Sequence, residues 1–250
     1  MSLVSVIIPC YNSKSQISRT LEMIFSQTYT NIEVIVVDDY STDNSVDIVK
    51  SFNDPRLKII ELKINKGAGN ARNVGIKFSE GDVIAFCDSD DTWSANKIER
   101  QLQLWDRDKY IGVCSAYDRV VNNVSKGKVI PREEISYNRL LKYCDIGTST
   151  VLLNSKVFSS LKFDKIRMRQ DYDLWLRISN KFGKFYGINE SLVKYHIHSD
   201  SISSNKFKAV IFHYKILSRN LDFMHLRLYY LSYYILYNLK KRVKEIQLNQ

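Results

Sequence analysis

Apolar positions fall in short unbroken runs, separated by stretches of helical period. Leu3 to Pro9 ("LVSVIIP"), Ile32 to Asp39 ("IEVIVVDD"), Arg56 to Leu62 ("RLKIIEL") and the run "DVIAFCD" are continuous, as strands buried on both faces would be. Between the first two, Ile17, Leu21, Ile24 and Phe25 recur at i, i+4, i+7 and i+8, which predicts an amphipathic helix. "STDNSVDIVKSF" opens with capping residues and turns helical, "KGAGNARNVGIKFS" reads as a small-residue turn and then a helix, and "SANKIERQLQLW" as a helix capped by its serine. Beyond Tyr110 the pattern is less regular. "IGVCSAYDRVV" and Thr148 to Asn154 predict strands, the second followed by a serine-capped helix. "RQDYDLWLRISNKF" predicts an acid-led helix, "KFYGINESLVKYHIHSDSIS" strands running into a polar loop, and everything from Asn205 onward helix.

Strands alternating with helices imply a mostly parallel sheet flanked by helices on both faces. In such sheets ligands bind outside the carboxyl ends of the strands. That rule gathers "PCYN", "DDYS" and "DSDD" at one edge, together with the turn "NKGAGNARN".

Composition changes this picture little. The 250 residues are 44% hydrophobic and 26% charged, without repeats or low-complexity stretches, which suits one catalytic-size domain with additions. Cys10, Cys87, Cys114 and Cys144 are widely spaced, so free thiols in a reducing compartment are expected rather than zinc ligands. The start of the chain carries no basic n-region, and the expected location is cytoplasmic. Charge matters more. Of the net +10, residues 201–250 carry +7, from nine Lys/Arg against Asp222 and Glu245. A basic tail suggests an anionic partner, and the alternative is a solvated helical face.

Asp88, Asp90 and Asp91 crowd the end of the "VIAF" run. Neighbouring carboxylates stay ionised together only with a compensating cation, and an oxygen-only donor set favours Mg²⁺ or Mn²⁺ on a phosphate over zinc. The alternative is a capped turn before a helix. Asp38 and Asp39 end the second strand, where an acid accepts from ribose in dinucleotide folds. The turn after the first strand, "PCYNSKS", lacks G-x-G-x-x-G, which argues against a nicotinamide-dependent oxidoreductase. No RNP, zinc or helix-turn-helix signature supports nucleic acid as a partner, so a non-catalytic nucleotide- or nucleic-acid-binding module is the weaker alternative.

"VSVIIPCYN", "IEVIVVDDYSTDNS", "NKGAGNARNVGI", "AFCDSDD" and "QDYDLWLRI", in that order, resemble the family-2 inverting nucleotide-sugar glycosyltransferases of GT-A fold, from about Ser2 to Ser204. "YHIHSDSIS" is similar to a later segment of that family. The resemblance implies a catalytic domain over 1–204 and a basic, aromatic helical extension over 205–250. It implies that Pro9, Tyr11 and Asp39 hold the base and uridine and that Arg72 lies near the base or diphosphate. It further implies that Asp88, Asp90 and Asp91 serve ribose, donor sugar and a Mn²⁺ or Mg²⁺ ion, with Asp90 and Asp91 both open as metal ligands. Asp171 matches the catalytic base, and His198 the histidine near metal and diphosphate. The implied partners are a nucleotide-sugar donor and a glycan or undecaprenyl-diphosphate-linked acceptor of O-antigen or capsule synthesis. The run Leu226 to Lys244, rich in tyrosine and leucine before a basic cluster, is too short in apolar residues to cross a bilayer and is open as a peripheral membrane contact or as a helix packed on the catalytic domain. Two positions depart from the family pattern: Gln170 stands where a Glu is usual, and His196 where an Arg is usual. Asp173 and Glu190 are the reserve candidates for the base. Trp93 and Trp175 are open as sugar-stacking or packing residues, and Thr148 and Ser149 as donor contacts or loop residues.

Overall fold

The computed structural model describes residues 1–121, 124–166, 168–196 and 206–247. In chain order the elements are β1 (Val4–Cys10), α1 (Ile17–Phe25), β2 (Ile32–Asp38), α2 (Ser45–Ser51), β3 (Leu57–Glu61), α3 (Ala68–Phe78), β4 (Val83–Phe86), β5 (Thr92–Trp93) and α4 (Lys97–Leu104). There follow β6 (Gly112–Val121), β7 (Val124–Val129), β8 (Glu134–Ile135), α5 (Tyr137–Lys142), β9 (Val151–Asn154), α6 (Gln170–Phe182), β10 (Phe185–His196), α7 (Lys206–Asn220) and α8 (Met224–Gln247).

Among the described residues the strands form one ten-stranded sheet of order β3-β2-β1-β4-β9-β6-β10-β5, with β7 on β6 and β8 on β10. β3, β2, β1 and β4 pair in parallel, as the alternation of strands and helices implies. β9 then runs antiparallel to both β4 and β6, while β6 and β10 pair in parallel, so the second half is mixed. β1 is buried along its whole length because the pleat sends alternate side chains to two cores. Val4, Val6 and Ile8 meet Ile17, Leu21 and Ile24 of α1 and Ile98 of α4 on one face. Ile7 meets Phe86, Trp175 of α6 and Ile216 and Leu217 of α7 on the other. Gly75 lets α3 lie directly on β1, since a Cβ there would run into Ile7.

Several local expectations are corrected. α4 starts at Lys97 with Asn96 as N-cap and no side-chain cap; the Ser94 carbonyl instead accepts from Gln27 Nε2 at 2.9 Å and Lys97 N at 3.0 Å. Thr148–Thr150 form a single 3₁₀ turn, so the strand begins only at Val151. The helix expected after it is a 3₁₀ turn over Ser155–Ser159, capped by Asn154. The sequence pattern misses β5, β7, β8 and α5. β7 is exposed except at Val129 and has no buried face to pattern, and the others are too short to establish a period.

Candidate active site

The carboxyl ends of β1, β2 and β4 and the start of α3 enclose a cleft of about 330 Å³. Pro9, Tyr11, Asp39, Arg72, Asp88 and Asp90 all line it, together with Ser13, Gln16 and Ala68. Register brings them there: Pro9 pairs with Val37 and Cys10 with Asp38, so the first two strands end level. The backbone amide of Asp39 donates to the Cys10 carbonyl at 2.8 Å, which carries the β1–β2 pairing to the strand end. The Asp39 carboxylate is buried and accepts from the amides of Lys66 (2.9 Å) and Gly67 (2.6 Å). It thereby holds the turn that starts α3, in which Gly67 takes a φ of +87° that other residues rarely adopt. Tyr11 is 50% exposed on the rim.

Arg72 is buried in α3, pairs with the Asp88 carboxylate and lies 5.4 Å from the Phe163 ring centroid. Burial opposes its charge, yet Asp88, followed by Asp171 and Asp91, raises its pKa above the ordinary guanidinium value. The acid loop is anchored from beneath. Thr20 Oγ1 donates to the Ser89 carbonyl at 2.7 Å, and the Ser13 and Ser89 hydroxyls lie 2.8 Å apart.

The three acids are not equivalent. Asp90 lines the cleft. Asp91 is 1% exposed behind it, accepting from Ser149 Oγ at 2.5 Å and from the His196 amide at 3.2 Å. Burial, and then the charges of Asp88 and Asp90, push the Asp91 carboxyl well above the usual carboxylate range, against the two hydrogen bonds. The like charges of Asp88 and Asp90 thus bear on a buried carboxylate. Among the described residues no group of three or more His, Cys, Asp or Glu forms a metal cage. A divalent cation nevertheless fits the donor chemistry: the available ligands are carboxylate oxygens, and the like-charge repulsion at Asp91 is of the kind a cation relieves.

Asp171 lies in the first turn of α6. Thr148 Oγ1 donates to its Oδ2 at 3.0 Å, so the 148–149 pair contacts Asp171 with one hydroxyl and Asp91 with the next. The effect of Asp171 on Arg72 places it in the same electrostatic neighbourhood as the cleft. Both reserve candidates for the base are paired with arginines. Asp173 is fully buried with Arg177 at 2.9 Å and Arg219 at 3.4 Å, and Glu190 is paired with Arg100 at 2.7 Å. The indoles are packing residues: Trp175 is buried against Phe86, Phe163 and Phe185, and Trp93 is buried under Lys97. His196 Nε2 lies 3.3 Å from Thr92 Oγ1, and His198 falls outside the described residues. Sequence reasoning did not single out Tyr195. Partial burial of its phenol, and then the charges of Asp88, Asp91, Asp171 and Asp90, raise its pKa, although the residue as a whole is 39% exposed.

A half-parallel, half-mixed sheet with an acid loop at its carboxyl edge is the plan of a GT-A glycosyltransferase. Staphylococcus aureus TarS (residues 1–349, in complex with UDP-GlcNAc) has this fold, with a TM-score of 0.71 over 93% of this chain and 71% of its own, at 20% identity. The mannosyltransferase PcManGT of Pyrobaculum calidifontis, solved with GDP-Man and Mn²⁺, matches with a TM-score of 0.65 over 93% of this chain and 68% of its own, at 17% identity. The family model "Glycosyl transferase family 2" matches residues 5–167. The chain belongs to glycosyl transferase family 2 and is a glycosyltransferase. The Escherichia coli UDP-Glc:alpha-D-GlcNAc-diphosphoundecaprenol beta-1,3-glucosyltransferase WfgD is 38% identical over 241 residues, covering 96% of this chain and 94% of its own.

Proposed function

We propose that the protein is a metal-dependent inverting transferase. It moves a sugar from a UDP-sugar to a hydroxyl of a lipid-linked glycan during assembly of a bacterial surface polysaccharide such as O-antigen or capsule. The observation that carries this reading is the convergence of Asp39, Arg72, Asp88 and Asp90 on one cleft, with Asp171 near enough to act on Arg72. The printed donor and acceptor of WfgD support UDP-sugar and undecaprenyl-diphosphate chemistry.

In this reading residues 1–204 are the catalytic part and 205–250 an extension. Pro9 and Tyr11 hold the base. Asp39, its plane fixed by two backbone amides, has lone pairs left to accept from the uridine. Asp88 accepts from ribose, and Arg72 faces the diphosphate. Asp90, on the cleft wall, and Asp91, behind it, hold the Mn²⁺ or Mg²⁺. Bound there, the cation offsets the charge of the diphosphate and makes it a better leaving group. Asp171 accepts the acceptor hydroxyl proton as that oxygen attacks the anomeric carbon. Thr148 engages one of its carboxylate oxygens and leaves the other for that proton. Attack on the face opposite the leaving group turns an α-linked donor into a β-glycoside. His198 is assigned to the diphosphate by family resemblance alone.

A peripheral contact with the inner face of the cytoplasmic membrane completes the reading. Among the described residues no helix is long and apolar enough to cross a membrane. α8 does leave Met224, Leu228, Ile235, Leu236 and Leu239 exposed.

The test is a panel of nucleotide sugars offered to the purified protein with a diphospholipid-linked sugar acceptor. A UDP-sugar is turned over, EDTA abolishes the transfer, and added Mn²⁺ or Mg²⁺ restores it. Transfer from no UDP-sugar, or full activity in EDTA, sinks the reading.

A further inference from the structure

The start of α6, which carries Asp171, is gripped by the C-terminal helices. Arg169 is its N-cap and has φ 58° and ψ 35°, a left-handed conformation unfavourable for a residue with a Cβ. It makes no side-chain cap, and its guanidinium points instead to α7 and α8. Nη2 donates to the Tyr234 hydroxyl at 2.7 Å, and Nη1 lies 3.2 Å from His213 Nδ1. The guanidinium carbon is 5.2 Å from the Tyr234 ring centroid. His213 is 1% exposed and stacked between two rings, Tyr234 at 3.9 Å and Tyr172 at 5.4 Å, with interplanar angles of 12° and 13°. Tyr172 in turn donates to the Leu140 carbonyl at 2.7 Å.

The chemistry fixes the direction of these bonds. An arginine only donates, so His213 Nδ1 must be the unprotonated, accepting nitrogen. That agrees with the imidazole being held neutral: burial, and then the Arg169 charge, lower its pKa to about 3. The two residues bracketing Gln170 and Asp171 are therefore both held by the extension, Arg169 by hydrogen bonds and Tyr172 by the stack, and α7 also holds Asp173, through Arg219 at 3.4 Å and Asn220 at 3.3 Å.

We propose that Arg169, His213 and Tyr234 form a clamp through which α7 and α8 set the orientation of the first turn of α6. Arg169 is then a positioning residue for Asp171, and the extension is part of the catalytic machinery. The inference rests on Asp171 being the base. It is distinct from a purely structural role, because small displacements of a base cost rate before they cost folding: a shift on the order of 1 Å loses up to about 100-fold.

The experiment compares Arg169→Gly, Tyr234→Phe and Asp171→Asn with the wild type in steady-state transfer from the UDP-sugar that the wild type turns over, alongside thermal melting. Glycine adopts the left-handed conformation freely, so Arg169→Gly removes the clamp while relieving the backbone. Tyr234→Phe keeps the stacked ring and deletes only the acceptor hydroxyl. The expected result for Arg169→Gly is a fall in kcat of roughly 10- to 100-fold with donor KM within about twofold. Tyr234→Phe falls in the same direction by less, with an unchanged melting temperature. Wild-type kcat in both variants, or losses that only track the folded fraction, overturns the clamp. If Arg169→Gly melts too low to assay, Tyr234→Phe decides alone on the same criterion. An inactive Asp171→Asn beside a fully active Arg169→Gly refutes the clamp and spares the base. An active Asp171→Asn refutes the base and the clamp with it.

Discussion

Among the described residues Asp171 accepts from Thr148 at 3.0 Å, and its acidic neighbour on α6, Asp173, is tied to Arg177 and Arg219. The account therefore predicts that Asp171→Asn lowers turnover by about 10²–10⁴-fold while UDP binding, measured by calorimetry, is unchanged. A second residue-scale prediction concerns Lys97. It is fully buried, its Nζ has no hydrogen-bond partner among the described residues, and it lies 3.7 Å from the Trp93 ring centroid. Burial lowers its pKa to about 7 from the ordinary 10.5. The folded state thus binds fewer protons than the unfolded state between those values. The cost of Lys97 is absent above about pH 10.5, grows as pH falls, and is complete below about pH 7. Lys97→Met should raise the melting temperature by roughly 5 °C at pH 7 and by clearly less near pH 10. An equal gain at both pH values would contradict a buried, titrating amine. At this scale the cleft residues are legible in sequence because strand ends are: Pro9, Asp39 and Asp88 each terminate an apolar run. The inequality of Asp90 and Asp91 is not legible. It is set by Ser149 and His196, which lie 58 and 105 positions away and contribute a hydroxyl and a backbone amide to Asp91. Tyr195 escapes notice for the same reason, since only folding brings its phenol under the influence of Asp88, Asp91 and Asp171.

At the scale of elements, strong periodicity is what sequence conveys. α1 and α6 start within a residue of where the sequence pattern puts them: α1 buries the stripe Ile17, Leu21 and Ile24, and α6 is buried on every side from Tyr172 to Leu176. β7 and α5 are invisible: the first is a mostly exposed strand, and the second is six residues long and fixed by its Ser136 cap rather than by a stripe. α8 combines both situations. Tyr234 faces inward to Arg169, while Met224, Leu228, Ile235 and Leu239, at i, i+4, i+11 and i+15, form an exposed apolar stripe ahead of the basic run "KKR". The proposed membrane contact lays this stripe in a bilayer interface, where each nearby Lys or Arg would add ~1 kcal/mol at an anionic leaflet. The protein should co-sediment with anionic but not neutral vesicles, and less so in high salt. Leu228→Glu with Leu239→Glu should release it without lowering the melting temperature. Indifference to lipid charge, or unchanged sedimentation of the double variant, would leave the stripe without a membrane role.

The whole molecule divides its tasks along the sheet. The parallel half, β3-β2-β1-β4, ends in the cleft that the account gives to the UDP-sugar. The mixed half, with the 148–150 turn and α6, brings Asp171 to the same edge from the opposite side. The alternation of strands and helices makes the first half legible. The antiparallel insertion of β9 between β4 and β6 is not, because its four residues carry no mark of direction. Two carboxylate groups reached from opposite halves suit a single displacement, with the leaving diphosphate on one side of the sugar and the activated hydroxyl on the other. The most direct test is the anomeric configuration of the first product, read by proton NMR after transfer from an α-linked UDP-sugar. The account predicts a β-glycoside; an α-glycoside would contradict it.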